Sequence, residues 1–281
     1  MSGVFEGVRV IEFAEGVMGP MAATILAEQG ADVIKLERPE GDRSREELGF
    51  QVWNRSKRGA VIQPGTPAAS TLLADLAKSS DVFIWDRTQT EAAKIGVDAA
   101  TLRTHNPNLL YLALPPYGEI GPDADRPADE ALVGAYGGVF GQQPTFEGGP
   151  GYMVTPWWAI AGALVAATGV AMGLYKRARS GWAGIITCPQ IFGPLAHLGD
   201  EVLESNGAHP GEFGDVLHPY GAWPLFAIHP CKDGFIATGV SAPRQWHLLA
   251  MGMGHPEWIG DPRFDGAPWA LTVEERDQLR E

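Results

Sequence analysis

The chain has 281 residues, enough for one large domain or two modest ones. Its composition, 45% hydrophobic and 20% charged, is typical of a globular protein and argues against disorder. The formal net charge of −13 disfavours a nucleic-acid-binding surface, which would be basic, and leaves room only for a local basic pocket. Two cysteines without a CxxC pair, and an N-terminus unlike a signal peptide, predict a cytoplasmic protein with reduced thiols.

Strand-like and helix-like segments alternate through the first part of the chain. Residues 8–13 predict a strand, residues 21–29 a helix of small side chains, and residues 31–37 a second strand. This order is typical of a βαβ unit, whose two strands are parallel. Residues 81–85 and 109–114 predict further strands, each preceded by a helical segment. The sequence therefore predicts an α/β fold with a doubly wound parallel sheet.

Two different segments follow the predicted sheet. Residues 136–151 are rich in Gly and Pro and predict a long functional loop. A helix is predicted over residues 156–179, and residues 157–175 within it are apolar and approach the length of a membrane span. Their many Gly and Ala residues favour a tightly packed buried helix instead, so no membrane partner is expected.

The character of the sequence changes again near residue 206. Short strands are predicted at residues 225–228 and 234–240, around a Lys-Asp-Gly turn, which indicates the start of a smaller α+β domain. We therefore predict a Rossmann-like domain at residues 1–205 and an incomplete second domain at residues 206–281.

The loop after the first strand is a candidate ligand site. Open parallel sheets bind ligands at the carboxyl ends of their strands, next to helix N-termini. In this loop Gly16, Gly19 and Pro20 would let backbone amides approach a ligand. The glycines do not form a GxGxxG fingerprint, so a nicotinamide or flavin is not indicated. A plain tight turn is the alternative.

Basic residues concentrate after the second predicted strand. Arginine side chains there suit phosphate groups, and a ligand with several phosphates would match them. The alternative is a solvated, charged loop. The six basic residues are Arg38, Arg43, Arg45, Arg55, Lys57 and Arg58.

Several motifs along the whole chain form a recognisable series. They are FEGVRVIEF at residues 5–13, GADVIKLE at 30–37, GDxxR at 41–45, NRxKR at 54–58 and DPRF at 261–264. In these motifs and their order the chain closely resembles the class III (CaiB/BaiF) CoA-transferases. Members of this family move CoA between carboxylic acids, and a sister branch, the α-methylacyl-CoA racemases, epimerises the carbon beside the thioester.

The resemblance implies a CoA site in the first domain and an interlocked dimer. It implies that residues 17–20 lie along CoA, that Arg38 meets its phosphates, and that Asp129 opens a helix after Arg126, a basic residue near the ligand. The positions expected to bind CoA are Val17, Met18, Gly19, Pro20, Arg38, Arg45, Lys57, Arg58 and Arg126.

The family's catalytic carboxylate is missing. A family transferase has an Asp four residues before a Gly at the head of the Ala/Gly helix, and this Asp attacks the thioester to form an enzyme-bound anhydride. Counting back from Gly162 gives Trp158, and the neighbours Trp157 and Pro156 are no better. An indole cannot act as the nucleophile. The resemblance therefore implies that the Trp158 ring fills a vacated acyl pocket.

Other positions also depart from the family. Ala128 stands where the racemase branch has its His, and residues 86–90 replace the family's Asn-Phe-Arg-Pro-Gly. Val133 is expected where the family has a Gln. No GxSxG, HExxH or convincing metal-ligand spacing occurs, so no metal is predicted. The remaining candidate nucleophiles are the carboxylates of Glu15, Asp129 and Glu130.

These features lead to three hypotheses. The first is a CoA-transferase-family protein that handles acyl-CoA as a non-nucleophilic subunit or half, in a homo- or hetero-oligomer with a subunit that carries the Asp. Since family chains are longer, the end at Glu281 predicts a piece of something larger. The second is an active transferase or racemase with a displaced carboxylate. The third is a regulatory protein that binds CoA or a nucleotide without catalysis. The acyl substrate stays open.

Overall fold

The computed structural model describes residues 3–142, 150–198 and 223–280. The chain forms two compact units. The first consists of Met1–Val139 and Val154–Gly199, and the second of Phe140–Met153 and Asp200–Glu281. The predicted boundary between residues 205 and 206 and part of the predicted loop at residues 136–151 lie outside the described residues.

The first unit is built on a six-stranded parallel sheet with the order β3-β2-β1-β4-β5-β6. The doubly wound α/β fold predicted from the sequence is thereby confirmed. Its strands are β1 (Arg9–Phe13), β2 (Asp32–Glu37), β3 (Arg58–Val61), β4 (Val82–Trp85), β5 (Leu110–Ala113) and β6 (Ile185–Thr187). Its helices are α1 (Met18–Glu28), α2 (Phe50–Trp53), α3 (Pro67–Lys78), α4 (Gln89–Ile95), α5 (Ala99–His105), α6 (Glu130–Tyr136), α7 (Trp157–Ser180) and α8 (Phe192–Leu198).

The four central strands, β1, β2, β4 and β5, are the ones that the sequence predicted. Strands β4 and β5 are buried along their whole length, as continuous apolar runs between two helical layers should be. The two edge strands were missed. Strand β3 is mostly exposed, and β6 has only three residues, so neither has the apolar run that marks a buried strand.

The long apolar helix α7 is buried on one side only, so the predicted buried helix is partly wrong: Leu164, Met172 and Tyr175 are more than half exposed. By length and composition it is the one described helix that could also cross a membrane. Here it packs against α1, β5 and β6. A Cβ on Gly173 would come within 2.7 Å of Ile186, and one on Gly169 within 3.2 Å of the same side chain. The small residues thus let the helix lie directly on the edge of the sheet.

A buried network of two lysines and two carboxylates joins β1, β2 and the entry to β3. The Lys35 ammonium lies 2.9 Å from Glu12 Oε1 and 2.8 Å from Asp42 Oδ2. The Lys57 ammonium lies 2.6 Å from the other Glu12 oxygen. All four side chains are at most 4% exposed. Two positive and two negative charges therefore compensate one another away from water.

The same network ties down the loop after β1. The Lys35 ammonium donates to the carbonyl of Ala14 at 2.8 Å, and the Lys57 ammonium donates to that of Pro20 at 2.7 Å. Burial alone would lower the pKa of Lys35, but pairing with Glu12 and Asp42 outweighs it and raises that pKa. Burial dominates at Lys57, whose pKa falls to about 8.

The second unit contains a two-stranded antiparallel hairpin and two helices in its described part. The elements are β7 (Ile228–Cys231), β8 (Gly234–Ala237), α9 (Pro243–Gly252) and α10 (Val273–Arg280). Its small core is largely aromatic: Trp246 stacks on Trp258, and Phe264 meets the edge of Trp246. The remaining buried members of this core are Leu225, Val240 and Leu271.

We expect the buried ion network to be a major source of stability. Lys35→Met leaves Glu12 and Asp42 with a single cation between them, which should lower the free energy of unfolding by about 3–5 kcal/mol. Lys78→Met is the matched control, because Lys78 pairs with Asp75 at 2.9 Å on an exposed surface. The control should cost less than about 1 kcal/mol. Equilibrium urea unfolding measures both, and equal losses would contradict the prediction.

Candidate ligand site at the carboxyl edge of the sheet

The candidate site lies where the strand order reverses. Strands β1 and β4 are neighbours, and their following connections run to opposite sides of the sheet. Such a point opens a crevice at the carboxyl ends of the strands, where α/β proteins bind ligands. Three segments meet there: loop 1 (residues 14–20, the connection after β1 together with the first turn of α1), residues 86–88 after β4, and the start of α6.

Loop 1 presents three consecutive backbone amides, and each donates to a carboxylate of the chain itself. The amides of residues 15–17 donate, in order, to Asp86 Oδ2 at 2.7 Å, Asp42 Oδ1 at 3.2 Å and Glu130 Oε1 at 2.6 Å. Successive amides at a helix N-terminus form a cradle for an anion. In this structure the cradle holds the protein's own carboxylates.

Gly16 is the residue that makes this close approach possible. Its φ of 74° lies in the left-handed region that favours glycine. A Cβ at this position would lie 2.2 Å from Glu130 Oε1 and 2.7 Å from Arg43 Nη2. Any side chain at position 16 would therefore expel both groups from the cradle.

Two arginines balance the carboxylates of the crevice. Arg43 Nη2 donates to Glu130 Oε2 at 2.8 Å, and Arg87 Nη1 donates to Glu15 Oε1 at 3.3 Å. The Arg87 guanidinium also lies over the Trp85 ring, 4.5 Å from its centre. Glu15, a candidate nucleophile from the sequence, is thus already held in an ion pair.

Asp86 is the most perturbed carboxyl group of the crevice. It is 5% exposed, and burial raises its pKa to about 6 against the opposing charges of Arg87 and Arg43. Its Oδ1 accepts no hydrogen bond from any residue that the structure describes. The Arg87 guanidinium also faces two further carboxylates: its Nε lies 3.8 Å from Asp86 Oδ1 and 3.7 Å from Glu91 Oε1.

Trp158 is the second residue of α7 and lies beside the crevice. It is 1% exposed, and its Nε1 donates to the carbonyl of Glu130 at 3.1 Å. A Cβ on Gly134 would come within 2.8 Å of the indole. The space between this ring and Met18 leaves no room for a water molecule. The indole therefore closes the space between α1, α6 and α7 to water.

The sequence matches CoA-transferase family III over residues 5–281. The chain belongs to this family. The resemblance found in the sequence is thereby confirmed.

Known relatives match most of the chain. The "Probable fatty acyl-CoA transferase Rv3272" of Mycobacterium tuberculosis is 28% identical over 92% of this chain and 71% of its own. A crystal structure of the hypothetical protein Rv3272 superposes with a TM-score of 0.82 at 26% identity, covering 99% of this chain and 77% of that one. The "Succinyl-CoA--L-malate CoA-transferase beta subunit" of Chloroflexus aurantiacus is 28% identical over 89% of this chain and 65% of its own.

The cations predicted to meet phosphates all have carboxylate partners already. Arg58 binds Asp32, the first residue of β2, so it lies at the amino edge of the sheet, opposite the crevice. Lys57 is buried beneath loop 1. The pairs are Arg38–Glu91 at 2.6 Å, Arg45–Glu37 at 2.6 Å, Lys57–Glu12 at 2.6 Å, Arg58–Asp32 at 2.6 Å and Arg126–Asp123 at 3.4 Å.

The other predicted residues divide into backbone and capping roles. Val17, Met18, Gly19 and Pro20 are buried, so this family loop can offer a ligand little beyond its backbone. Asp129 caps α6, because its Oδ1 accepts from the amide of Leu132 at 2.9 Å. The described residues contain no group of three His, Cys, Asp or Glu that could hold a metal ion.

We expect Asp86 to make stability depend on pH. Its folded pKa of about 6 exceeds the ordinary 3.8, so the folded state binds the extra proton. The stability that this proton contributes is present below about pH 4 and is lost as the pH rises through 6. Asp86→Asn, which stays neutral, should therefore gain up to about 3 kcal/mol relative to the natural protein between pH 4 and pH 7.

Urea unfolding at the two pH values measures this gain as a difference between variant and natural protein. Asp75→Asn is the control, because the Asp75 side chain is 63% exposed. A difference that is the same at both pH values would contradict the assignment of Asp86.

Proposed function

We propose that this chain handles acyl-CoA as the non-nucleophilic partner of a family III CoA-transferase subunit that carries the catalytic Asp. The observation that carries the proposal is the pairing of Trp158 with Gly134. A side chain at position 134 would collide with the indole. The two positions are matched in size, as expected of a site rebuilt around the ring.

The surroundings of the indole support a settled structural role. Its Nε1 has a hydrogen-bond partner in the Glu130 carbonyl, so no polar group of the ring is left unsatisfied on burial. The carbonyl of Trp158 itself lies against Gly193, where a Cβ would come within 2.2 Å. The ring and its backbone are thus enclosed by α6 and α8, and no acyl group fits beside them.

None of the candidate carboxylates is placed as a free nucleophile. Asp129 caps a helix, Glu15 is paired with Arg87, and both oxygens of Glu130 are engaged. A nucleophile for acyl transfer needs an oxygen able to reach the thioester carbon. The arrangement therefore favours a subunit that depends on another for its chemistry. The relative named as a β subunit supports assembly with a different chain.

Mass spectrometry of the intact protein tests the missing chemistry. We expect no covalent CoA adduct after incubation with a panel of acyl-CoA thioesters, while calorimetry detects CoA binding. A hydroxylamine-sensitive adduct on the natural protein would show an active enzyme and overturn the proposal. Peptide mapping, with Glu15→Gln and Asp129→Asn, would then locate the displaced nucleophile. If the protein binds CoA but no family III subunit with the catalytic Asp co-purifies with it, a regulatory role is favoured instead.

Returning a carboxylate to the head of α7 should restore two steps. The carboxylate attacks the thioester and forms the enzyme-bound anhydride, and the released CoA thiolate then attacks that anhydride to form an enzyme–CoA thioester. We expect Trp158→Asp to form the CoA adduct, because position 158 lies beside Met18 of loop 1. Trp158→Asn is the matched control, since it removes the same ring without supplying a nucleophile. Both should lose about 3–5 kcal/mol of stability through the cavity that they leave. If Trp158→Asp folds and forms no adduct, like the Trp158→Asn control, this site no longer binds acyl-CoA productively.

A further inference from the structure

The donors of loop 1 are all in use by the chain itself. The amides of residues 15–17 and the Arg43 guanidinium converge on one small region, which is the arrangement that binds phosphate or carboxylate oxygens. A ligand oxyanion can enter this region only if a protein carboxylate leaves it.

The three carboxylates differ in how firmly they are fixed. Asp42 is 0% exposed at its side chain and is paired with Lys35, and Asp86 is 5% exposed. The Glu130 side chain is 15% exposed, and its partner Arg43 is 40% exposed. Glu130 also has the longer side chain and reaches loop 1 from the first turn of α6. It is therefore the carboxylate that can leave at the lowest cost.

The gap over Gly16 is shaped for an oxyanion. The Glu130 carboxylate fills the volume that a Cβ at position 16 would take. It accepts hydrogen bonds from the Val17 amide and from Arg43. One oxygen binds a backbone amide and the other a guanidinium. A phosphate or carboxylate of a ligand would find the same two donors at the same spacing.

Elsewhere in the crevice, two charged side chains have buried polar atoms without a hydrogen bond to the described residues. Asp86 is buried and its Oδ1 accepts no hydrogen bond within the described part of the chain. Arg87 Nε and Nη2 are buried and donate none to the described residues, with Nε 3.8 Å from Asp86 Oδ1. Buried polar atoms normally have partners. Of these atoms, the Arg87 nitrogens are donors that could serve a ligand oxyanion, whereas the ionised Asp86 Oδ1 is an acceptor and would repel one.

We propose that Glu130 is an internal substitute for a ligand oxyanion and keeps the loop 1 site closed until that oxyanion replaces it. The inference rests on the proposed handling of acyl-CoA, and it adds a competing group that the ligand oxyanion must displace. No covalent bond forms or breaks. The Val17 amide and Arg43 stop donating hydrogen bonds to the Glu130 carboxylate and donate them to the ligand oxyanion instead. The oxyanion is either a phosphate of CoA or the carboxylate of an acyl acid.

Calorimetry with CoA, inorganic pyrophosphate and succinate tests the proposal. Glu130→Gln should bind at least one of them about tenfold more tightly than the natural protein, because the charged competitor is gone. Glu130→Asp keeps the charge but shortens the side chain, so it should show a smaller gain. Tighter pyrophosphate binding identifies a phosphate, and tighter succinate binding identifies a carboxylate.

Glu28→Gln is the matched control. It removes the same charge from an exposed pair with Arg55 outside the crevice and should leave all three affinities unchanged. Equal gains in this control, or no gain in either Glu130 variant, would overturn the proposal. If no protein binds CoA, acyl-CoA handling fails, and the two small anions still decide the role of Glu130. Hydrogen exchange at the Val17 amide should rise in Glu130→Asp, and unchanged exchange would also count against it.

Discussion

The first unit depends on placing four charged side chains where water cannot reach them. Glu12, Lys35, Asp42 and Lys57 come from β1, β2 and the segments that follow β2 and precede β3. Their pairing fixes the register of these strands at the carboxyl edge, because each charge needs its partner within hydrogen-bond distance. Loop 1 inherits this rigidity through the carbonyls that the lysines hold.

The rigid base explains why loop 1 can hold its amides in a row. A turn with three converging donors would be costly if the donors were unsatisfied. The carboxylates of Asp42, Asp86 and Glu130 remove that cost and also give the crevice its balance of charges. The same contacts that stabilise the loop therefore determine which ligand groups it can accept.

The sequence predicted the sheet better than it predicted the site. Buried strands such as β4 and β5 can be predicted because they are continuous apolar runs in the sequence, whereas the short or exposed β3 and β6 are not. Loop 1 was located because it follows the first strand of a βαβ unit. The partner of its last amide could not be found, because Glu130 is 113 residues away in sequence.

The prediction that the clustered basic residues bind phosphates could not be checked from the sequence, for a related reason. A cluster of arginines and lysines in the sequence has the same appearance whether the charges face a ligand or a carboxylate of the protein. Only the fold shows that Lys57 is buried under loop 1 and that Arg58 lies at the opposite edge of the sheet. From the sequence, Glu130 was predicted only as a candidate nucleophile. Nothing in the sequence indicated that Gly134 packs against the Trp158 indole.

The fit of Trp158 into the space above Gly134 also bears on the history of the chain. Enlarging position 134 first would force a collision with the ring, and shrinking position 158 first would leave a void in a packed region. Each single change at these two positions is thus penalised before a second change can compensate. The two residues constrain each other, so neither can be replaced alone without a cost in stability.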